Sequence, residues 1–195
     1  MHIHLIRHGK TEANENSLYC GATDIPLSDN GINELLALKE RGLYPKSADL
    51  YFTSGMKRTE QTLDILYGPV PRHVIAQLRE FNFGDFEMNS HDELENHTDY
   101  QNWIFDETGQ IPCPGGESGQ DFNRRVSEGF EMLCDKAQKQ LQPETVLLIC
   151  HGGVIVQIMD TLFPKKHSFY EWLPEPGRGY TLIGTEKGFE LQKEI

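Results

Sequence analysis

Two short apolar runs, each ending in His-Gly, constrain this chain more than any other feature. The first is Leu5-Ile6-Arg7-His8-Gly9, and the second is Val146-Leu147-Leu148-Ile149-Cys150-His151-Gly152-Gly153. An apolar run that breaks into glycine reads as a buried strand entering a tight turn. Open α/β sheets bind ligands at the carboxyl ends of their strands, so the two ends are expected to meet. Arg7 offers a planar fork of donors for an anion. His8 and His151 offer a nucleophile or a base, and Gly9 lets the backbone come close. Either histidine alone would read as a buried residue at a strand end. The pair, with Arg7 beside one of them, reads as a site.

The remaining chain alternates strand and helix. Strands are expected over 2–6, Leu50–Thr53, 73–76, 146–149, 180–183 and 189–191, the last two as a hairpin. Helices are expected over 59–67 and 154–162, from a Ser28 cap to about Arg41 with Gly42 as the stop, and as a short turn over 11–14. A long helix should follow Ser118 and bury Phe122, Val126, Phe130, Met132, Leu133 and Ala137. This pattern predicts an α/β fold: a mostly parallel central sheet with helices on both faces. Arg58 falls in the first turn of a helix that directly follows a strand, where backbone N–H groups also favour anions.

One stretch has a different character. From Glu80 to Asn123 there is no Lys or Arg, but there are eleven acidic residues and the aromatics Phe81, Phe83, Phe86, Tyr100, Trp103 and Phe105. It reads as an inserted, partly helical lid over about 81–117, in a single domain of 195 residues. Its acids contribute to a formal net charge of -12, which argues against nucleic acid and anionic membranes as partners. No segment approaches a membrane span, and the first residues lack a signal-peptide pattern. Cys20, Cys113, Cys134 and Cys150 lack metal-type spacing and read as reduced thiols, so a cytoplasmic location is expected.

Gly9-Lys10-Thr11 ends like a phosphate loop, but His4 stands where that motif requires glycine. A cysteine-phosphatase loop and a Gly-x-Ser-x-Gly elbow are also absent. A metal-dependent hydrolase using His2, His4 and His8 stays an outside alternative. Arg7, His8, Arg58 and His151, all at strand ends, suit phosphoryl transfer, which needs positioning and charge neutralisation. Histidine can carry the phosphoryl group covalently, and a general acid must protonate the leaving oxygen. Glu80, directly after a strand at the mouth of the lid, is the best placed acid, with Asp85 and Glu87 as neighbouring rivals.

These residues resemble the histidine phosphatase superfamily, the phosphoglycerate-mutase-like proteins. Arg7-His8-Gly9-Lys10-Thr11-Glu12-Ala13-Asn14 is similar to its signature. Gly21-x-x-Asp24-x-Pro26-Leu27-Ser28, Ser54-x-x-x-Arg58, Glu80-x-x-x-Gly84 and His151-Gly152-Gly153 match later motifs in order. The resemblance implies His8 as nucleophile and Glu80 as proton donor. Arg7, Asn14, Gly21, Arg58, His151 and Gly152 would contact the substrate, with neither cofactor nor metal. Lys10 and Cys150 depart from the pattern, replacing the commoner Glu or Gln and Ser or Thr. Phe83-Gly84-Asp85-Phe86-Glu87-Met88, Gly115-Gly116-Glu117-Ser118 and the later Phe122-x-x-Arg125-Val126 are similar to the family's small bacterial phosphatases. The expected substrate is a small-molecule phosphate monoester, and the expected state is a monomer or homodimer. A phosphoglycerate mutase and a catalytically inactive scaffold protein are the alternatives. The first would want basic lid residues, and the second would usually have lost a matched residue.

Overall fold

The computed structural model describes residues 1–139 and 143–195. In chain order the elements are β1 (His2–Arg7), α1 (Glu12–Glu15), α2 (Asp29–Glu40), β2 (Leu50–Thr53), α3 (Lys57–Tyr67), β3 (His73–Val74), α4 (His91–Leu94), α5 (Thr98–Ile104), α6 (Gly119–Lys139), β4 (Thr145–Cys150), α7 (Gly152–Leu162), α8 (Phe169–Trp172), β5 (Gly179–Thr185) and β6 (Gly188–Glu194). The six strands form one sheet in the order β3-β2-β4-β1-β5-β6. β1 to β4 run parallel, while β5 and β6 join antiparallel beside β1.

Strand alternation divides the core. Ile3, Leu5, Phe52, Val146 and Leu148 face a large cluster that includes Val126 and Leu133 of α6 and Val154 and Ile158 of α7. Ile6, Tyr51, Leu147 and Ile149 point the other way, onto Leu63 and Leu66 of α3. Both faces of the sheet are therefore covered, as parallel strands require, and β1 and β4 read as near-continuous apolar runs. Helix starts follow their local chemistry. Ser28 Oγ accepts the Gly31 N–H at 3.0 Å. α3 begins two residues before its expected start, without a cap from its own Met56. The Asp24 carboxylate instead accepts the Lys57 N–H at 2.7 Å, from a distant loop.

Two expectations need correction. The strand expected over 73–76 is only His73–Val74, followed by a 3₁₀ turn at Ala76–Leu78. Ile75 and Leu78 are buried while Ala76 is exposed; a three-residue spacing suits a 3₁₀ turn, not a pleated strand. On α6, Met132 is 39 % exposed and Gly129 is buried in its place. Met132 lies two residues past the buried Phe130, on the opposite side of the helix.

The 81–117 segment holds a 3₁₀ turn (Gly84–Phe86), α4 and α5. Its ends meet: the Asn82 N–H donates to Glu117 Oε1 at 2.7 Å, and the Glu117 N–H donates to the Asn82 carbonyl at 3.0 Å. Among the described residues, no helix is long and apolar enough to cross a membrane.

Candidate active site

The sheet register creates the site. β1 and β4 are adjacent and parallel with Arg7 opposite Cys150, so the two His-Gly turns leave the sheet side by side. The His8 N–H donates to the Cys150 carbonyl at 2.9 Å. The His8 and His151 rings meet edge to face with centroids 5.1 Å apart.

His8 Nδ1 lies 2.7 Å from the Gly9 carbonyl oxygen. That oxygen only accepts, so the proton sits on Nδ1 and Nε2 carries the lone pair. The side chain is almost wholly buried. Burial first, then Arg58 and Arg7, hold its pKa well below the ordinary value, against the pull of the Gly9 bond. The ring is therefore neutral near pH 7.

Arg58 is buried in the first turn of α3. Its Nη2 donates to the Gly21 carbonyl at 2.8 Å and its Nη1 to the Thr23 carbonyl at 3.0 Å. Its Nε donates to His151 Nδ1 at 3.3 Å. The proton of His151 is therefore on Nε2, which donates to Ser54 Oγ at 2.8 Å. Burial, then Arg58, His8 and Arg7, keep His151 neutral as well. Arg7 donates from Nη1 to the Pro174 carbonyl at 2.8 Å. Its Nε is buried and has no partner among the described residues. Such an unmet donor is costly, and an anion would satisfy it.

Glu80 lies on irregular backbone after the 3₁₀ turn, not directly after a strand as expected. Its Oε2 accepts the Gly153 N–H of α7 at 2.9 Å, and its Oε1 accepts the Phe81 N–H at 2.9 Å. A Cβ at position 153 would lie 2.5 Å from Oε1; glycine is what lets this carboxylate rest on the helix start. The rivals are placed elsewhere. Glu87 is occupied by the backbone N–H groups of Gly21, Ala22, Thr23 and Phe83. Asp85 lies against the turn at Gly115.

Gly21, expected to contact the substrate, is held by protein partners. Its N–H is held by Glu87 and its carbonyl by Arg58, and a Cβ there would overlap the Phe81 carbonyl. Both backbone groups are thus engaged within the protein. Asn14 Oδ1 accepts from the Thr11 N–H and hydroxyl, each at 3.1 Å, and its side chain lines the cleft. Lys10 pairs with Glu34 at 2.8 Å, on the surface. Cys150 is fully buried, and burial pushes its thiol up.

Arg7, Asn14, Glu80, Gly152 and Gly153 line a cleft of about 710 Å³ together with the aromatics Tyr19, Phe81, Phe83, Trp103 and Phe122. These rings touch one another, with centroids 4.9 to 6.0 Å apart. His2 Nδ1 is paired with Gln192 and His4 Nδ1 with Thr181, and no metal-binding group of three His, Cys, Asp or Glu occurs among the described residues.

Several supporting residues escaped the sequence reading. Ser54 was visible as part of a motif but carried no role. Thr62, whose hydroxyl accepts the Gly9 N–H at 3.0 Å, looks like any helix threonine. The Gly177 N–H donates to the Arg7 and His8 carbonyls at 3.0 and 3.2 Å, and its Pro-Glu-Pro-Gly context signals only a turn.

This fold and arrangement place the chain in a class. It belongs to the histidine phosphatase superfamily (branch 1), whose family model matches residues 3–192. It is 33 % identical over 159 residues to the adenosylcobalamin/alpha-ribazole phosphatase of Salmonella typhimurium, covering 80 % of this chain and 76 % of that protein. The alpha-ribazole phosphatase of Shigella flexneri has a similar structure, with a TM-score of 0.84 and 29 % identity over 98 % of this chain and 95 % of that one. A 2,3-bisphosphoglycerate-dependent phosphoglycerate mutase of Allorhizobium ampelinum is 30 % identical over 175 residues, covering 83 % of this chain and 81 % of that protein.

Proposed function

We propose that this chain is a metal-independent phosphomonoesterase that works through phosphohistidine at His8, with residues 1–195 as one catalytic domain and 81–117 as its lid. The observation that carries this reading is the tautomer of His8. Its proton is tied to Gly9, and a neutral Nε2 stands beside two arginines. Nε2 attacks phosphorus, and the ester oxygen leaves with a proton from Glu80. Water then attacks the phosphohistidine, with Glu80 as base, releasing inorganic phosphate and restoring His8. Arg7 Nε and the remaining N–H groups of Arg58 bind the phosphoryl oxygens, His151 steadies Arg58 through Nδ1, and Asn14 and Gly152 border them. Gly21 contributes through its carbonyl, which aims Arg58.

The relatives' names suggest α-ribazole 5′-phosphate as substrate. The cleft supports that choice over a mutase substrate: among the described residues Arg7 is the only cation on its lining, which is rich in aromatic rings. A planar, weakly charged remainder suits it, whereas a second phosphate would find acids. The enzyme would act as a monomer or homodimer, and a cytoplasmic location fits the unpaired cysteines.

Brief incubation with ³²P-labelled monoester and an alkaline quench should leave acid-labile label on His8. His8→Ala should carry none. Label on another residue, or turnover without label in a rapid quench, would reject the mechanism.

A further inference from the structure

The Glu117 and Arg125 of the sequence motif take no part in the chemistry above, yet they meet next to its proton donor. We infer that Arg125, backed by Glu117, is the positioning residue for Glu80, an inference that rests on the proposed role of Glu80 as acid. Residues 79–83 form neither helix nor strand, so no ladder of hydrogen bonds locates the Cα of Glu80. Arg125, on α6, supplies that anchor. Its Nη1 donates to the carbonyls of Gln77 and Arg79 at 2.8 and 2.7 Å, and its Nη2 donates to the carbonyl of Glu80 itself at 2.9 Å. The same guanidinium is gripped by Glu117, Nε to Oε2 at 3.0 Å and Nη2 to Oε1 at 2.6 Å. Glu117 Oε1 in turn accepts the Asn82 N–H at 2.7 Å.

The backbone is therefore pinned on both sides of Glu80 by one ion pair. The pair is only partly exposed, with side-chain values of 23 % and 14 %. The carboxylate's own bonds to Phe81 and Gly153 orient its tip; Arg125 sets where that tip starts. A lysine has no planar fork and cannot hold three carbonyls and a carboxylate together. A small shift of a catalytic group is enough to slow its step.

The test uses leaving groups. An alkoxide needs the acid's proton, whereas p-nitrophenolate leaves without it. In Arg125→Lys, rapid-quench phosphoenzyme formation should slow about tenfold or more with an alkyl phosphate. With p-nitrophenyl phosphate it should stay within about twofold, and KM should change little for either. Glu117→Gln should show the same selectivity more weakly, which keeps the test available if Arg125→Lys folds poorly. Adding Arg125→Lys to Glu80→Gln should cost nothing further, because the two act through one group. If Glu80→Gln is selective but neither positioning variant is, or if they slow both substrates equally, Arg125 is merely structural and the inference falls. If Glu80→Gln itself shows no selectivity, the assignment of Glu80 as acid fails, and the inference falls with it.

Discussion

At the scale of single residues, protonation states decide this site. His8 and His151 are held neutral by burial and by the arginines, and burial with neighbouring cations lowers His4 to about 4. Below the unfolded pKa of about 6.5, the unfolded chain takes protons that the folded chain refuses. Stability from these three is thus complete above pH 6.5 and is lost as pH falls towards their folded values. Each contributes up to about 1.4 kcal/mol per pH unit. Urea midpoints should fall steadily between pH 7 and 5, and His4→Gln should flatten the slope. A midpoint constant over that range would contradict the buried neutral histidines. Gly153→Ala separates stability from activity. Alanine favours a helix by up to about 1 kcal/mol over glycine, so Tm should hold or rise. The new Cβ, 2.5 Å from the unshifted Glu80 Oε1, should displace the carboxylate and lower kcat for alkyl phosphates by about tenfold or more. Unchanged kcat would show that Glu80 does not act from this position.

The elements around the cleft explain selectivity. α5 brings Trp103 against Tyr19, Phe81 and Phe83, so the aromatic cluster joins the loop before α2 to the start of the 81–117 segment. Aromatic pairs are worth about 0.5–1.5 kcal/mol each beyond burial. Trp103→Ala should therefore lower the melting temperature. It should also raise KM for α-ribazole 5′-phosphate about tenfold while leaving phosphoserine within about twofold. Equal effects on both substrates would mean that the cluster is only structural.

For the whole molecule, charge sets the limits. The net charge of -12 and the Lys- and Arg-free stretch from Glu80 to Asn123 repel highly anionic substrates over a Debye length of about 8 Å at physiological salt. 2,3-Bisphosphoglycerate should be a poor substrate, with kcat/KM at least about 100-fold below that of a bulky monoester, and should improve as salt screens the lid. Turnover of the monoester should be unaffected by EDTA, because the proposed phosphoryl ligands are arginine N–H donors, which do not bind metal. Chelator-sensitive activity would reopen the metal alternative.

What the sequence determined by itself was what a few neighbouring residues encode. Apolar runs made β1 and β4 strands, Ser28 and Ser118 started helices, and the His-Gly breaks marked where chemistry would lie. The paired histidines, Arg7 and Arg58 were legible because strand ends have a known functional meaning, whereas Glu80 was singled out from an expected strand that the structure replaces with a 3₁₀ turn. Tertiary structure alone decided what depends on partners far along the chain. The Glu80 carboxylate rests on the helix start, while Glu87 is tied to Gly21 from 66 residues away. Arg7 is aimed by Pro174 from 167 residues away. The 3₁₀ turn before Glu80 replaced an expected strand because α6 and the sheet bury Ile75 and Leu78 together. Local propensity acts over a turn or two, whereas the hydrogen bonds that leave one carboxylate available and engage another form only when the chain has packed.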